Sequence, residues 1–435
     1  METPLAEIRN LPQLKGRTVR LRGWVWNRRG SGRIRFAQLR DGTGFAQLVA
    51  GEQDLDAESF ELLKRLSQES LVEAEGTVAE NGREALGVEL RLSALRQLSG
   101  SEDYPITHKE HGTDFLMDRR HLWLRSPRQR AILAIRDRME RSIHAYFHEQ
   151  GFLRVDAPIF NDNACEGTTT LFSAEYFGSP AYLSQSGQLY MEAAAAAVGK
   201  AYCFGPTFRA ENSNTRRHLT EFWMVEPEAA FMELPEDMAL GEGLIKRIVA
   251  DVLDECAAEL ALLGRDLAPL RATAGCASFP RLAYDDAVEV LKKNGAPDFR
   301  WGDDFGGPHE TIIAQQYSTP VIVHRYPCAC KAFYMKKDPE DARLSLSMDI
   351  LAPEGFGEIV GGGQRETDLD VLLEGFAKHG IAPSTLDWYL DLRKYGTFPH
   401  AGFGLGLERT LAWVCGLPHV RETVPFPRLP NRLHP

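Results

Sequence analysis

The chain has 435 residues, of which 43% are hydrophobic and 26% charged, with a formal net charge of −11. That length exceeds what one core comfortably serves and predicts two or three domains, and the composition is that of an ordinary soluble globular protein. A negative net charge argues against unselective adhesion to nucleic acid, which is driven by excess positive charge.

The N-terminal METPLAEIRNLPQLKGR has no apolar segment of signal-peptide length, and nowhere do about 18 apolar residues run uninterrupted, so a cytoplasmic location without a membrane anchor is expected. The seven cysteines are scattered and odd in number, which argues against a disulfide framework. Cys328 and Cys330 form a CxC without a second pair at zinc-site spacing, so no metal is expected there.

Residues 19–26 (VRLRGWVW), 33–39 (RIRFAQL) and 44–49 (GFAQLV) alternate apolar and polar side chains, with Gly-rich turns at 30–32 and 41–44, and predict three strands. A helical pattern follows at 55–67, then strand-like runs at 70–78 and 88–94. Three strands, a helix and two strands within about 100 residues is the layout of an OB-fold barrel. Between Lys15 and Arg40 there is no acidic residue, whereas Lys15, Arg17, Arg20, Arg22, Arg28, Arg29, Arg33, Arg35 and Arg40 are all basic. One basic region on an acidic chain predicts a localised anionic partner.

Residues 100–125 are mixed and irregular and read as a hinge. Ile132, Ile135, Met139, Ile143 and Phe147 then recur at helical spacing up to Gly151, where FLRVDAPIF reads as a strand. A second domain is therefore expected from 126. Long helices such as 237–263 interrupt its strands without regular βαβ alternation, which predicts an α+β domain with a mainly antiparallel sheet flanked by helices.

Three segments of this second domain stand out. The first is the helix and strand ending at Pro158, a commonplace arrangement on its own. The second is FGPTFRAENSNTRRHLTEFWMVEPEAAF (204–231), a strand, a polar and basic loop with Arg216, Arg217 and His218, and a returning strand. Read alone it is equally a solvated charged hairpin. The third, GFGLGLER (402–409), reads as a Gly-rich turn leading into a helix, where backbone can approach a ligand closely. No Walker-type GxxxxGK[ST] occurs, so an ATP site must be of another kind.

In this order and spacing the three segments resemble the signature motifs of class II aminoacyl-tRNA synthetases. With CEGTTTLF, YLSQSGQLY, FGGPHE and GEIVGGGQR, the whole chain is similar to the aspartyl, asparaginyl and lysyl subgroup. The resemblance implies an OB-fold anticodon-binding domain over 1–100, a hinge over 101–125 and a class II catalytic domain over 126–435, assembled as a homodimer through the first motif. For ATP it implies Arg209 at the α-phosphate, Glu211 at the adenine amino group, Phe222 stacked on the purine and Arg409 at a terminal phosphate, with Asp349 and Glu358 holding Mg²⁺. It places Glu166, Ser186 and Gln188 around the α-ammonium of the amino acid. It assigns Arg29, Phe36 and Gln47 to reading the tRNA anticodon, Phe36 by stacking and Gln47 at a base edge, although a Phe in a strand is as readily a core residue.

The resemblance also bears on which amino acid is used. Aspartyl members carry a Lys three residues after the Gln of SxQLxK, where it binds the substrate carboxylate. In Ser186-Gly187-Gln188-Leu189-Tyr190-Met191 that place is Met191, and Glu192 follows. Glu192 is expected to accept from the amide of asparagine and to repel aspartate, with Arg365 donating to the side-chain oxygen and opposing a lysine ammonium. The alternative for Glu192 is a helix-surface carboxylate ahead of the Ala run 193–197. ATP-dependent activation of asparagine and its transfer to tRNA is thus expected. An aspartyl-specific member, an asparagine synthetase-type enzyme on the same core and an RNA-binding module without catalysis are the rival readings.

Overall fold

The computed structural model describes residues 3–162, 171–213 and 215–435. The chain divides into two compact units, Met1–Gly112 and Thr113–Pro435. Among the described residues no helix is long and apolar enough to cross a membrane.

The first unit is a closed barrel of β1 (Thr18–Ser31), β2 (Ile34–Arg40), β3 (Phe45–Gly51), β4 (Leu71–Glu80) and β5 (Val88–Ser99), in the order β1-β2-β3-β5-β4. Alternation drives it: Val19, Leu21, Leu39, Leu48, Val72 and Leu90 point inward and are fully buried, along with Phe60 from the helix Ala57–Arg65. Asp56 caps that helix by accepting from the Ser59 backbone N–H at 2.8 Å. β1 continues past the expected end at 26 because Asn27, Arg28 and Arg29 pair with Gln38, Ala37 and Phe36, forming an exposed hairpin that the polar composition concealed.

The second unit is built on an eight-stranded sheet in the order β12-β13-β14-β15-β16-β11-β10-β6. Its strands are β6 (Leu153–Arg154), β10 (Lys200–Phe208), β11 (Glu221–Ala230), β12 (Arg281–Ala283), β13 (Val321–His324), β14 (Ser347–Ala352), β15 (Gly357–Gln364) and β16 (His400–Gly406). Only the outer pairs β12/β13 and β10/β6 are parallel. A separate three-stranded sheet joins β7 (Phe160–Asn161), β9 (Ser179–Leu183) and β8 (Ser173–Tyr176). FLRVDAPIF, read as one strand, is split between β6 and β7, with Pro158 in the non-strand stretch between them. The irregular stretch before 126 holds two short helices, Thr113–Met117 and Arg120–Trp123. Arg120 is fully buried and donates to the carbonyls of Pro425, Glu422 and Val424.

One face of the eight-stranded sheet is apolar. Met348, Ile350, Val360, Phe403, Leu405 and Val225 bury against the helices Leu234–Glu255 and Pro127–Glu149. The other face is cleared by glycine: Gly361 pairs with Gly404, and Gly363 with Gly402. The segment expected to be a Gly-rich turn is therefore a strand, β16, that runs straight into the helix Leu407–Cys415. Gly402 is needed because the neighbouring strand's backbone leaves no room for a Cβ, whereas at Gly404 the obstacle is the flexible end of Met224. At Gly402 a Cβ would lie 2.1 Å from the Pro227 carbonyl oxygen, and at Gly404 it would lie 2.3 Å from Met224 Cε.

At Gly362, on the apolar face, a Cβ would meet Phe403 Cβ at 2.4 Å and the Gly402 carbonyl oxygen at 2.5 Å. Gly362→Ala is expected to cost about 1–3 kcal/mol through overpacking, seen as a lower urea midpoint for the second unit. Asp237, in the first turn of the helix Leu234–Glu255, is fully buried, and neither carboxyl oxygen has a hydrogen-bond partner among the described residues. Burial pushes its carboxyl up to about 8. The folded state therefore holds a proton there that the unfolded chain releases above its ordinary value, so this contribution to stability is lost as pH rises towards 8. Asp237→Asn removes the effect, and its melting temperature relative to the unsubstituted protein should rise between pH 5 and pH 8.5; a pH-independent difference would refute the assignment.

Candidate functional site

The glycine-cleared face carries two cavities that share a wall of Arg209, Met224, Glu358 and Gly404. The smaller, about 90 Å³, is lined by Glu211, Arg217, His218, Phe222 and Arg409 besides that wall. Arg209 follows β10, and its guanidinium carbon lies 5.4 Å from the centre of the Phe222 ring. Phe222 also packs against the apolar core, so only part of its ring is free. Arg409, in the first turn of the helix Leu407–Cys415, donates to Glu358 Oε2 at 3.2 Å. Its neighbour Glu408 is buried and accepts from Arg136 at 2.7 Å and from the Trp223 N–H at 2.9 Å, which ties the helix start to β11. Burial, with Arg409 close by, lowers the His218 imidazole below its ordinary range, so the loop's positive charge rests on arginines.

The larger cavity, about 410 Å³, is lined by Ser186, Gln188, Glu226, Lys331, Asp349 and Arg365 among others. Asp349 on β14 accepts from Lys331 Nζ at 2.7 Å. Burial raises its carboxyl above the ordinary range even so, with Glu358 contributing. A Cβ on Gly361 would lie 2.8 Å from Glu358 Oε1 and 3.3 Å from Asp349 Oδ1, so the two carboxylates converge over a position without a side chain. Glu310, from the FGGPHE segment, accepts from Arg217 at 2.9 Å and from the Glu358 backbone N–H at 3.0 Å, which braces the junction of the cavities.

The comparisons with known proteins agree along the full length. Residues 112–430 match the family model described as tRNA synthetases class II (D, K and N), and residues 19–98 match an OB-fold nucleic acid binding domain. The asparagine–tRNA ligase of Sorangium cellulosum is 54% identical, with 100% of each chain covered. That of Desulforamulus reducens is 53% identical over 98% of this chain and 99% of its own. The crystal structure of asparaginyl-tRNA synthetase from Pyrococcus horikoshii complexed with asparaginyl-adenylate superimposes with a TM-score of 0.96 at 41% identity, covering 100% of both chains. The chain belongs to the class II tRNA synthetases of the D, K and N group.

Within this synthetase, Arg209, Glu211, Phe222, Glu358 and Arg409 gather at the smaller cavity, and Ser186, Gln188, Asp349 and Arg365 at the larger one. Glu166 lies outside the described residues. Met191 is buried against Ala201 and Cys203 and contributes no polar group.

The expectation for Glu192 needs correction. It neither lies on the helix surface nor lines the cavity: one turn beyond Gln188 on the same helix face, it is covered by Tyr389, Arg393 and His400, and its carboxylate is fully buried. It accepts from Tyr389 Oη at 2.9 Å, Arg393 Nη2 at 2.8 Å and Gln188 Nε2 at 3.1 Å, and His400 Nε2 lies 2.9 Å away. Burial alone would raise its carboxyl, but Arg393 and His400 more than offset this and hold it well below the ordinary range.

The carboxylate beside Arg365 is instead Glu228, whose Oε1 accepts from both Nε and Nη2 of Arg365. Glu228 Oε2 is buried without a hydrogen-bond partner among the described residues. Sequence reasoning missed Glu226, Glu228 and Lys331. The two glutamates were accessible through strand alternation, since 222, 224, 226 and 228 share one face of β11. Lys331 follows a short 3₁₀ turn and carried no periodic signal.

In the first unit, Arg29, Phe36 and Gln47 do come together on the outer face of the sheet. The Arg29 guanidinium carbon lies 5.0 Å from the Phe36 ring centre, and Arg29 Nη2 donates to Gln47 Oε1 at 2.8 Å. Gln47 Nε2 donates to Glu89 at 2.9 Å, so its amide is engaged at both ends.

Because Gln188 Nε2 is held by Glu192, its Oε1 remains for the cavity. Glu192→Gln removes that constraint and is expected to raise KM for the amino acid roughly tenfold, equivalent to about 1.4 kcal/mol, while leaving KM for ATP unchanged. An unaltered amino-acid KM would show that Gln188 does not depend on Glu192.

Proposed function

We propose that the protein is an asparagine–tRNA ligase, which activates L-asparagine with ATP to asparaginyl-adenylate and transfers the asparaginyl group to the 3′ end of tRNA(Asn), working in the cytoplasm as a homodimer. The observation that carries this reading is the full-length likeness to asparagine–tRNA ligases. Supporting it are Met191, buried at the position where aspartyl enzymes carry a lysine, and an Arg365 at the larger cavity that is already paired with Glu228.

In the first half-reaction the asparagine carboxylate attacks the α-phosphorus of ATP. The bond to the bridging oxygen breaks and pyrophosphate leaves. Arg209 holds the α-phosphate, Arg409 the terminal phosphate, Glu211 the adenine amino group and Phe222 the purine face. In the second half-reaction the terminal ribose hydroxyl of the tRNA attacks the adenylate carbonyl and AMP leaves. No covalent enzyme intermediate is required, so positioning and charge complementarity supply the rate.

Asp349 and Glu358 fit Mg²⁺, because two hard oxygen donors converge over Gly361 beside the phosphate arginines. Asp349 and Glu358 would hold the ion from the protein side, beside the arginines that take the ATP phosphates. When bound with the nucleotide, the ion neutralises phosphate charge.

Glu166, Ser186 and Gln188 take the α-ammonium of the amino acid. Selection of its side chain rests on Glu228 and Arg365. Glu228 Oε2, which has no hydrogen-bond partner among the described residues, accepts from the asparagine amide, and Arg365 Nη1, which reaches Met335 Sδ at 3.7 Å, donates to the side-chain oxygen. Aspartate would bring a further carboxylate beside Glu228, and each 1.4 kcal/mol of that repulsion is about tenfold in selectivity. The barrel domain reads the anticodon through Arg29, Phe36 and Gln47.

ATP–pyrophosphate exchange with asparagine, aspartate or lysine as the single amino acid tests this reading. Exchange is expected with asparagine, and Arg209→Ala should lower kcat/KM by roughly 10²–10³, the effect of removing one preorganised transition-state donor. Exchange with aspartate in preference would make the protein an aspartyl enzyme and overturn the role of Glu228.

A further inference from the structure

The basic region of the first unit is redistributed by folding. Arg22 donates to Glu73 at 2.7 Å, and Arg20 lies 3.8 Å from the same carboxylate. Arg40 pairs with Glu69, and Lys15 reaches Glu80 at 3.4 Å. β4 and the turn before it thus neutralise the ends of the basic stretch, and positive charge survives at the β1–β2 hairpin.

That hairpin has two faces. Arg29 and Phe36 are paired on the outer one, whereas Arg28, opposite the inward-facing Ala37, lies on the inner one, as does Arg35. A bulge between Val25 and Asn27 sets the alternation that separates them. On the inner side, between the hairpin and the end of the helix Ala57–Arg65, a cavity of about 490 Å³ opens. Its wall includes Arg28, Arg29, Arg35 and Lys64, and among the described residues no carboxylate lines it, although Lys64 is paired with Glu61 beside it and Arg29 with Gln47 on the outer face. The Arg28 guanidinium is exposed and makes no hydrogen bond among the described residues. Trp26, held edge-on against Phe45 and His108 with ring centres 5.9 and 5.4 Å away, forms the far wall. Arg28 and Arg35, which no carboxylate pairs among the described residues, leave positive charge at a concavity on a chain of net charge −11 and mark a site for a polyanion.

We propose that this inner cavity is a second RNA contact, which takes backbone phosphates of the tRNA strand adjoining the anticodon, so that the hairpin is gripped on both faces: bases outside, phosphates inside. This rests on the assignment of the barrel to anticodon reading. Phosphate contacts add affinity without sequence information, whereas the outer face discriminates.

The test is equilibrium binding of tRNA(Asn) transcript to the full-length protein over a range of salt, with aminoacylation and ATP–pyrophosphate exchange followed in parallel. Arg28→Ala, and the double variant with Lys64→Ala, should weaken binding roughly fivefold and tenfold, and should flatten the slope of log affinity against log salt by about 0.7–1 per contact removed. The loss should be the same for a transcript with a substituted anticodon, and ATP–pyrophosphate exchange should not change. Unaltered affinity and slope, or a loss confined to the cognate anticodon, would overturn the proposal. Failure of the unsubstituted protein to charge tRNA(Asn) would instead refute the functional assignment, while the binding measurement would still decide the role of the cavity.

Discussion

The pairing of Gly361 with Gly404 and of Gly363 with Gly402 leaves four adjacent sheet positions without side chains, and the catalytic unit is organised around that bare patch. A sheet needs one face covered to be stable, and here Met348, Ile350, Val360, Phe403 and Leu405 supply it under long helices. The opposite face is then available for function. Glycine lowers the floor, so side chains at its edge, among them Arg209, Asp349, Glu358 and Arg365, converge on a common space rather than lying over a packed surface. The contact a Cβ would make with the Pro227 carbonyl at Gly402 shows that this floor is sterically required there as well as convenient.

Charge inside the fold is handled by close pairing. Glu192 with Arg393, and Glu228 with Arg365, are buried ion pairs contributed by elements distant in sequence. Such pairs add little net stability against an apolar alternative, but breaking one leaves an uncompensated buried charge. They therefore act by fixing geometry. Glu192 determines which end of the Gln188 amide faces the cavity, and Glu228 keeps Arg365 neutralised while retaining an acceptor of its own. The site is thereby matched to a neutral, amide-bearing side chain through the charge it already contains.

The barrel sorts the side chains of its hairpin onto two faces by the same alternation that builds its core. Inward positions of β1 and β2 bury Val25, Ala37 and Leu39 within the barrel, and beyond its rim the same register directs Arg28 and Arg35 into the cavity. Outward positions carry Arg29 and Phe36. A hairpin longer than the barrel needs is what makes both faces usable.

Much of this was determined by local sequence. Alternating runs predicted the barrel strands, the 3.6-residue recurrence from Ile132 to Phe147 predicted the long helix, and the order of the FRAE, GGGQR and GFGLGLER segments indicated the synthetase family. Met191 in place of a lysine was legible at once, because an absent charge does not depend on folding. What only the tertiary structure decided is which charges meet. Glu192 and Glu228 are both acidic residues near a motif, yet Tyr389, Arg393 and His400 close over the first and bury it in its own ion pair, while β11 sets the second against an arginine 137 residues away. The basic run from Lys15 to Arg40 likewise read as one patch until β4 and its preceding turn neutralised its ends and left the hairpin charged. Periodicity is a property of neighbours in the chain, whereas ion pairing depends on elements that only the closed sheet and barrel bring together.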